Sequence, residues 1–274
     1  MVKGMKNLLS NLRKIFLLTI MVGIFAMPIK ANSISVSPPR LEFTSTPGGY
    51  FEGNIEVYGA KEKNIRVKTY FCDYEFDPVG NVVFFPDAGQ VAGSATPWLK
   101  MEPEEFILPA GTKKLLKVWG RVPVGAPPGD YWSMFFVEFI PFSTVQTGGM
   151  RMSGRVGGSV TITVPGTIKT KGKISSFMLK YEQRGNKPGV SGKLLFLNEG
   201  DCILEPAGHL EIKDLQNKTV SKVLISPVKV FPGAKREIEI RQDLSLKPGQ
   251  YIALVILDYG GAKLAGYQKI FEVN

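Results

Sequence analysis

The chain has 274 residues, with 34 Lys and Arg against 24 Asp and Glu, a formal charge of +10, 44% hydrophobic residues, two cysteines and one histidine. A single histidine excludes H-E-x-x-H zinc sites, and Cys72 and Cys202 are too few for a disulfide framework. Lys3, Lys6, Arg13, Lys14 and Lys30 fall in the first 31 residues, which hold no acid. The remainder therefore carries +5, short of the concentrated cationic face that nucleic-acid binding asks for.

In chain order, "MVKGMKNLLSNLRK" supplies a basic leader, "IFLLTIMVGIFAMPI" an apolar run, and Ala31 a small residue at a cleavage point, so residues 1–31 read as a secretory signal peptide. Ile29 is bulky for the position three before a cleavage site, which keeps retention as an anchor open. No other segment reaches the roughly 20 apolar residues that cross a bilayer, so no integral span is expected after signal cleavage. The expected location is the periplasm, with the cell exterior or cell surface as the alternative. The 243 residues that follow suit two ordinary domains, each with its own core.

Past the signal, short alternating or apolar runs bounded by Gly, Pro, Asn and Asp replace any helical period, so the fold class is all-β. The first half holds "SISVSPPRLEF", "YFEGNIEVYG", "NIRVKTYFCDYEF", "NVVFF", "PWLKMEPEEFIL", "KKLLKVWGRV", "DYWSMFFVEFIPF" and "GSVTITV". The second repeats the order with "GKISSFMLKYE", "GVSGKLLFLNEG", "AGHLEIKD", "KTVSKVLI", "KREIEIRQ", "YIALVILDYG" and "YQKIFEV". Two tandem immunoglobulin-like β-sandwich domains are expected, 32–168 and 169–274, joined near "VPGTIKTKG". Pro128-Gly129-x-Tyr131 recurs as Pro248-Gly249-x-Tyr251, a spacing that suits the corner where a tyrosine hydroxyl bonds back to the chain just upstream. Cys72 and Cys202 lie in different halves and are expected to be unpaired and buried.

The strand at 131–140 is apolar on both faces. Tyr131, Phe135, Val137 and Phe139 lie on one side and Trp132, Met134, Phe136 and Ile140 on the other, whereas a sandwich strand needs only one such face. The surplus is covered either by the chain itself, through the sister domain, a long loop or the stretch 84–100, or by another polypeptide. In the second case Trp132, Met134 and Phe136 are the anchors.

Chemistry for catalysis is thin. There is no G-x-S-x-G, P-loop, G-x-G-x-x-G or C-x-x-C. His209 reads as a strand-surface residue, and Asp73, Glu75 and Asp77 as a solvated acidic face rather than a calcium loop. The chain is not expected to be an enzyme and no cofactor or metal is expected.

Taken together, "ISVSPPRLEF", "PWLKMEPEEFILPAGTKKLLKV", "DYWSMFFVEFIPF" and "VTITVPG" resemble the corresponding stretches of the PapD-like periplasmic chaperones of pilus assembly, over most of the chain past the signal. The resemblance implies a cleft between the domains with two cations for the C-terminal carboxylate of a pilus subunit, and a strand whose apolar side chains complete that subunit's sandwich. Arg40 matches the first cation. The second is replaced by Val160, Thr161 and Ile162, the nearest lysines being Lys169, Lys171 and Lys173, and the donor stretch 150–159 offers only Met150, Met152 and Val156. The bland readings are a strand-end surface arginine for Arg40 and a solvated linker for the lysines. The expected function is a chaperone-like protein binding protein subunits, pilin-like or other secreted polypeptides, through Arg40, Trp132, Met134, Phe136, Lys169 and Lys171. An outer-membrane usher is a further candidate partner. A secreted or cell-surface structural module without chaperone activity is the alternative.

Overall fold

A computed structural model describes residues 34–61, 63–141, 153–185 and 187–274. The expected signal peptide, Met150 and Met152 lie outside these residues. Among them no helix is long and apolar enough to cross a membrane. The first half contributes β1 (Ser35–Ser37), β2 (Arg40–Thr44), β3 (Tyr50–Tyr58), β4 (Ile65–Phe76), β5 (Val82–Phe85), β6 (Leu99–Glu102), β7 (Glu105–Leu108), β8 (Lys113–Arg121), β9 (Gly129–Pro141) and β10 (Gly154–Val164). The second contributes β11 (Gly172–Arg184), β12 (Lys187–Asn198), β13 (Ala207–Lys213), β14 (Thr219–Ile225), β15 (Lys235–Asp243), β16 (Gly249–Asp258) and β17 (Ala265–Val273).

These strands form two immunoglobulin-like sandwiches. In the first, β1-β3-β8-β6 faces β2-β10-β9-β4-β5, with β7 also on β4; in the second, β11-β12-β15 faces β14-β13-β16-β17. Alternation builds each core: Val160, Ile162 and Val164 of β10 point inward onto Ile55, Leu116, Phe135 and Val137. Leu194, Phe196, Leu210, Ile212, Val255 and Leu257 fill the second core. Each such side chain contributes about 1.5–3 kcal/mol on burial. The halves share a central pairing, since β3 pairs β8 as β12 pairs β15, and β9 takes the place of β16.

Both tyrosine corners form. Tyr131 Oη donates to Pro127 O (3.0 Å) and Tyr251 Oη to Lys247 O (3.1 Å), while Gly129 and Gly249 hold φ near +147° and +148°. The opening run, expected as one strand, is two. Pro38 and Pro39 cannot donate to a ladder, so β1 stays on β3 while β2 crosses to the other sheet and lies parallel to β10, Arg40 beside Ser159.

Candidate functional site

The outer face of β9 is where the surplus apolar residues sit, and the chain covers much of it. Beyond the Cys72↔Met134 pair, β4 leaves β9 and the loop before β6 takes its place: Trp132 N–H donates to Gly93 O (2.8 Å) and Ala95 N–H to Trp132 O (2.9 Å). The indole lies so close to Gly93 that a Cβ there would stand 2.0 Å from the ring. On its open side the ring stacks on Phe231 of the second sandwich, centroids 4.2 Å apart and planes 9° apart, and Nε1 donates to Tyr74 O (2.8 Å). Trp132 is 2% exposed and Phe136 5%, and Met134 packs partly buried beside them. Neither aromatic is therefore a free anchor for a guest, contrary to the docking expectation. Their cover comes from Val91, Gly93 and Phe231, with Arg155 lying over Phe136.

The same end of β9 ties the sandwiches together. Asp130 accepts from Thr163 Oγ1 (2.7 Å) and from the Ile203 N–H (2.8 Å), while its own N–H donates to Asp201 O (2.9 Å). Gly129 passes so near that a Cβ would lie 2.6 Å from Asp201 O. The lysine run that follows is drawn onto this loop: Asp201 N–H donates to Lys169 O (2.9 Å) and Glu199 N–H to Lys171 O (2.7 Å). Lys171 Nζ lies 2.8 Å from Glu199, which Lys173 also contacts, and the two ammonium groups hold that carboxyl down to about 2. Lys171 thus makes a surface ion pair while its side chain stays exposed, and Lys169 contributes its backbone.

Between the sandwiches a cavity of ≈ 300 Å³ is lined by Glu42, Asp130, Thr161, Thr163, Glu205 and Lys229, among others. Arg40, at the first position of β2, is exposed and lies 3.8 Å from Glu42. Lys229, on the chain between β14 and β15, is half-buried; burial first, then the charge of Arg40, lowers its pKa. Among the described residues it has no ion pair. The phenol of Tyr74 is pushed up to about 12 by burial, with Arg40 pulling the other way. The charge of Arg40 is thus felt by both Lys229 and Tyr74, at a cleft that also carries the carboxylates of Glu42, Asp130 and Glu205. A cation on this side of the cleft could not be read from the sequence, since "SPVKVF" is an ordinary inter-strand stretch until the fold brings Lys229 to the cavity lined by Asp130 and Thr161.

Arg40 also marks where β10 loses its second neighbour. Ser159 N–H donates to Pro39 O (3.1 Å), so Ser159, Gly157 and Arg155 turn their N–H and C=O away from β9. β2 pairs only with 159–163, and among the described residues no strand pairs with that flank of β10 at 154–158.

The acidic strand serves the fold. Asp73 is fully buried and accepts from Gln90 N–H (2.7 Å), Val91 N–H (3.3 Å) and Ser94 Oγ (2.6 Å), while Asp77 caps its turn through Gly80 and Asn81. His209 lies on β13, 3.2 Å from Glu211. Cys72 and Cys202 are unpaired, the first buried and the second half-buried.

No family model matches the chain and no characterised protein matches it in sequence. Among solved structures it is similar to the class 5 fimbriae chaperone CfaA, at 13% identity and a TM-score of 0.47 over 87% of this chain and 98% of that one. The E. coli chaperone DraB is similar at 15% identity and a TM-score of 0.43, over 88% and 96%. PapD-like domain 7 of human CEP192 aligns with 51% of the chain and 92% of its own, at 15% identity and a TM-score of 0.35. The likeness concerns the fold, which rests on the sheets and tyrosine corners described above.

Proposed function

We propose that the protein is an exported, periplasmic chaperone-like binder of partner polypeptides, its guests being subunits of pili or other surface structures. The observation that carries the reading is that, among the described residues, the flank of β10 at 154–158 has no partner strand and leads to Arg40, with Lys229 lining the adjacent cavity. A guest strand laid parallel to β10 along 154–158 would satisfy the outward N–H and C=O groups of Arg155 and Gly157. Running in that direction, its C-terminus arrives at Arg40, where a carboxylate would find one exposed guanidinium and one half-buried ammonium. Recognition through backbone and a terminal carboxylate does not depend on the guest's side chains, which suits a protein that handles several subunits.

The burial of Trp132 and Phe136 favours a second reading, a surface β-sandwich module without clients, because the apolar surplus is covered from within. Purification from the native host separates the two. A stoichiometric polypeptide that leaves when Arg40→Glu and Lys229→Glu are combined supports the chaperone. A chain that emerges alone, and behaves identically with both substitutions, supports the module.

A further inference from the structure

On the outer face of the first sandwich lies a groove of ≈ 470 Å³ lined by Lys68, Tyr70, Cys72, Phe84, Glu138 and Arg155, among others. Strand register explains its make-up. Lys68 of β4, Glu138 of β9 and Arg155 of β10 form one cross-strand row, and Tyr70, Phe136 and Gly157 form the next. Because Gly157 has no side chain, the Arg155 guanidinium can fold over the Phe136 ring, 4.4 Å from its centroid and 5.2 Å from that of Phe84. Its Nη1 donates to Tyr70 Oη (3.3 Å), and the two rings meet edge to face at 5.3 Å. The cation is thus held in one orientation by two aromatic faces and a hydroxyl.

The row is also unbalanced in charge. Glu138 faces two cations, yet neither Lys68 nor Arg155 forms an ion pair with it or with any other described residue. Beside it the short edge strand β5 leaves Val82, Val83 and Phe84 about two-fifths exposed, with Phe84 at the groove. A preoriented guanidinium with free N–H groups, a second cation and an open aromatic face together define the chemistry of an occupant.

We infer that this groove binds an extended polypeptide segment carrying a carboxylate side chain next to an aromatic one. The carboxylate pairs with Arg155 and Lys68, and the ring continues the Phe84–Phe136 contact. This rests on the chaperone reading in one respect: the segment belongs to the guest whose backbone runs along the flank of β10, where Arg155 is itself an edge residue. It also inverts the polarity expected from the resemblance. β10 presents Arg155, Gly157 and Ser159 outward rather than large apolar side chains, so here the guest inserts side chains into this protein's sheet.

The test uses the full exported chain and two fluorescein-labelled, C-terminally amidated pentapeptides, glycine–phenylalanine–glutamate–phenylalanine–glycine and the same peptide with glutamine at its centre. Amidation removes the terminal carboxylate, and the titrations are repeated in the Arg40→Glu, Lys229→Glu background so that a preference persisting there comes from the groove and not the cleft. Anisotropy titration is expected to give about tenfold tighter binding of the glutamate peptide, and Arg155→Gln to abolish that preference. Phe84→Ala is expected to weaken both peptides about fivefold while keeping the preference. Lys68→Gln, at an exposed site, is the second charge variant should Arg155→Gln disturb the sheet. Equal binding of the two peptides, binding of neither, or an unchanged preference in both charge variants overturns the groove. A guest released by the cleft substitutions while the peptides go undiscriminated would overturn the groove alone. Peptide discrimination by a chain that carries no guest would instead overturn the edge reading alone.

Discussion

Glu199 shows how a single carboxylate can fix the path between two sandwiches. Lys171 and Lys173 flank it, so its folded pKa falls from an ordinary 4.5 to about 2. A carboxyl depressed on folding adds stability above its unfolded pKa and loses it as pH falls towards the folded one, here from about 4.5 to about 2. Glu199→Gln is therefore expected to have a melting temperature that declines less than that of the parent between about pH 5 and pH 3, with a difference that shrinks in high salt. Calorimetry across that range checks it, and parallel pH profiles would refute the assignment. This pairing is local enough to be read from "IKTKG" and "NEG" once they are adjacent, but no periodicity announces the adjacency. Tyr131 and Tyr251 were legible because their hydroxyls bond only four residues back. Trp132 was not, because its cover, Phe231, comes from the other half of the chain.

At the scale of elements, the β4–β5 hairpin reaches across to β15. Glu237 N–H donates to Pro78 O (2.6 Å), and the Arg236 guanidinium lies 5.4 Å from the Phe76 centroid, its Nε and Nη1 buried without a hydrogen-bond partner. Gly80 turns over it at φ +103°, where an added Cβ would meet the guanidinium at 2.1 Å. Gly80→Ala is expected to destabilise by about 1–3 kcal/mol, from backbone strain together with the clash. Arg236→Met removes the obstruction and two unsatisfied donors, so it should recover part of that loss in a double-mutant cycle read by urea unfolding. Additive effects would show that the two residues do not touch. The strands of this hairpin could be anticipated from alternation and turn residues. Their clasp could not, since alternation reports which face is apolar and not which partner meets it. The same limit explains why β10 was foreseen as a strand while its half-empty flank was not, for that depends on where Pro38 and Pro39 divert the chain to the other sheet.

Across the whole molecule, the Trp132–Phe231 stack, the Asp130 contacts to Asp201 and Ile203, and the hairpin clasp join the lobes at three places. The parent is expected to unfold in one calorimetric transition, with equal calorimetric and van't Hoff enthalpies. Combining Trp132→Ala with Phe231→Ala removes aromatic packing of about 3–5 kcal/mol per side chain and should lower the midpoint by on the order of 10 °C or split it into two. A midpoint unchanged by the pair would mean that the lobes are independent. Trp98 and Trp119 sit within the first sandwich, against Tyr131 and Tyr50, so with both replaced by phenylalanine the remaining indole is the one pressed between the lobes. Its emission then becomes an optical gauge of the elbow, blue while the hinge is shut and shifting red as water reaches the ring, so that any partner which pries the halves apart would announce itself by colour without a label.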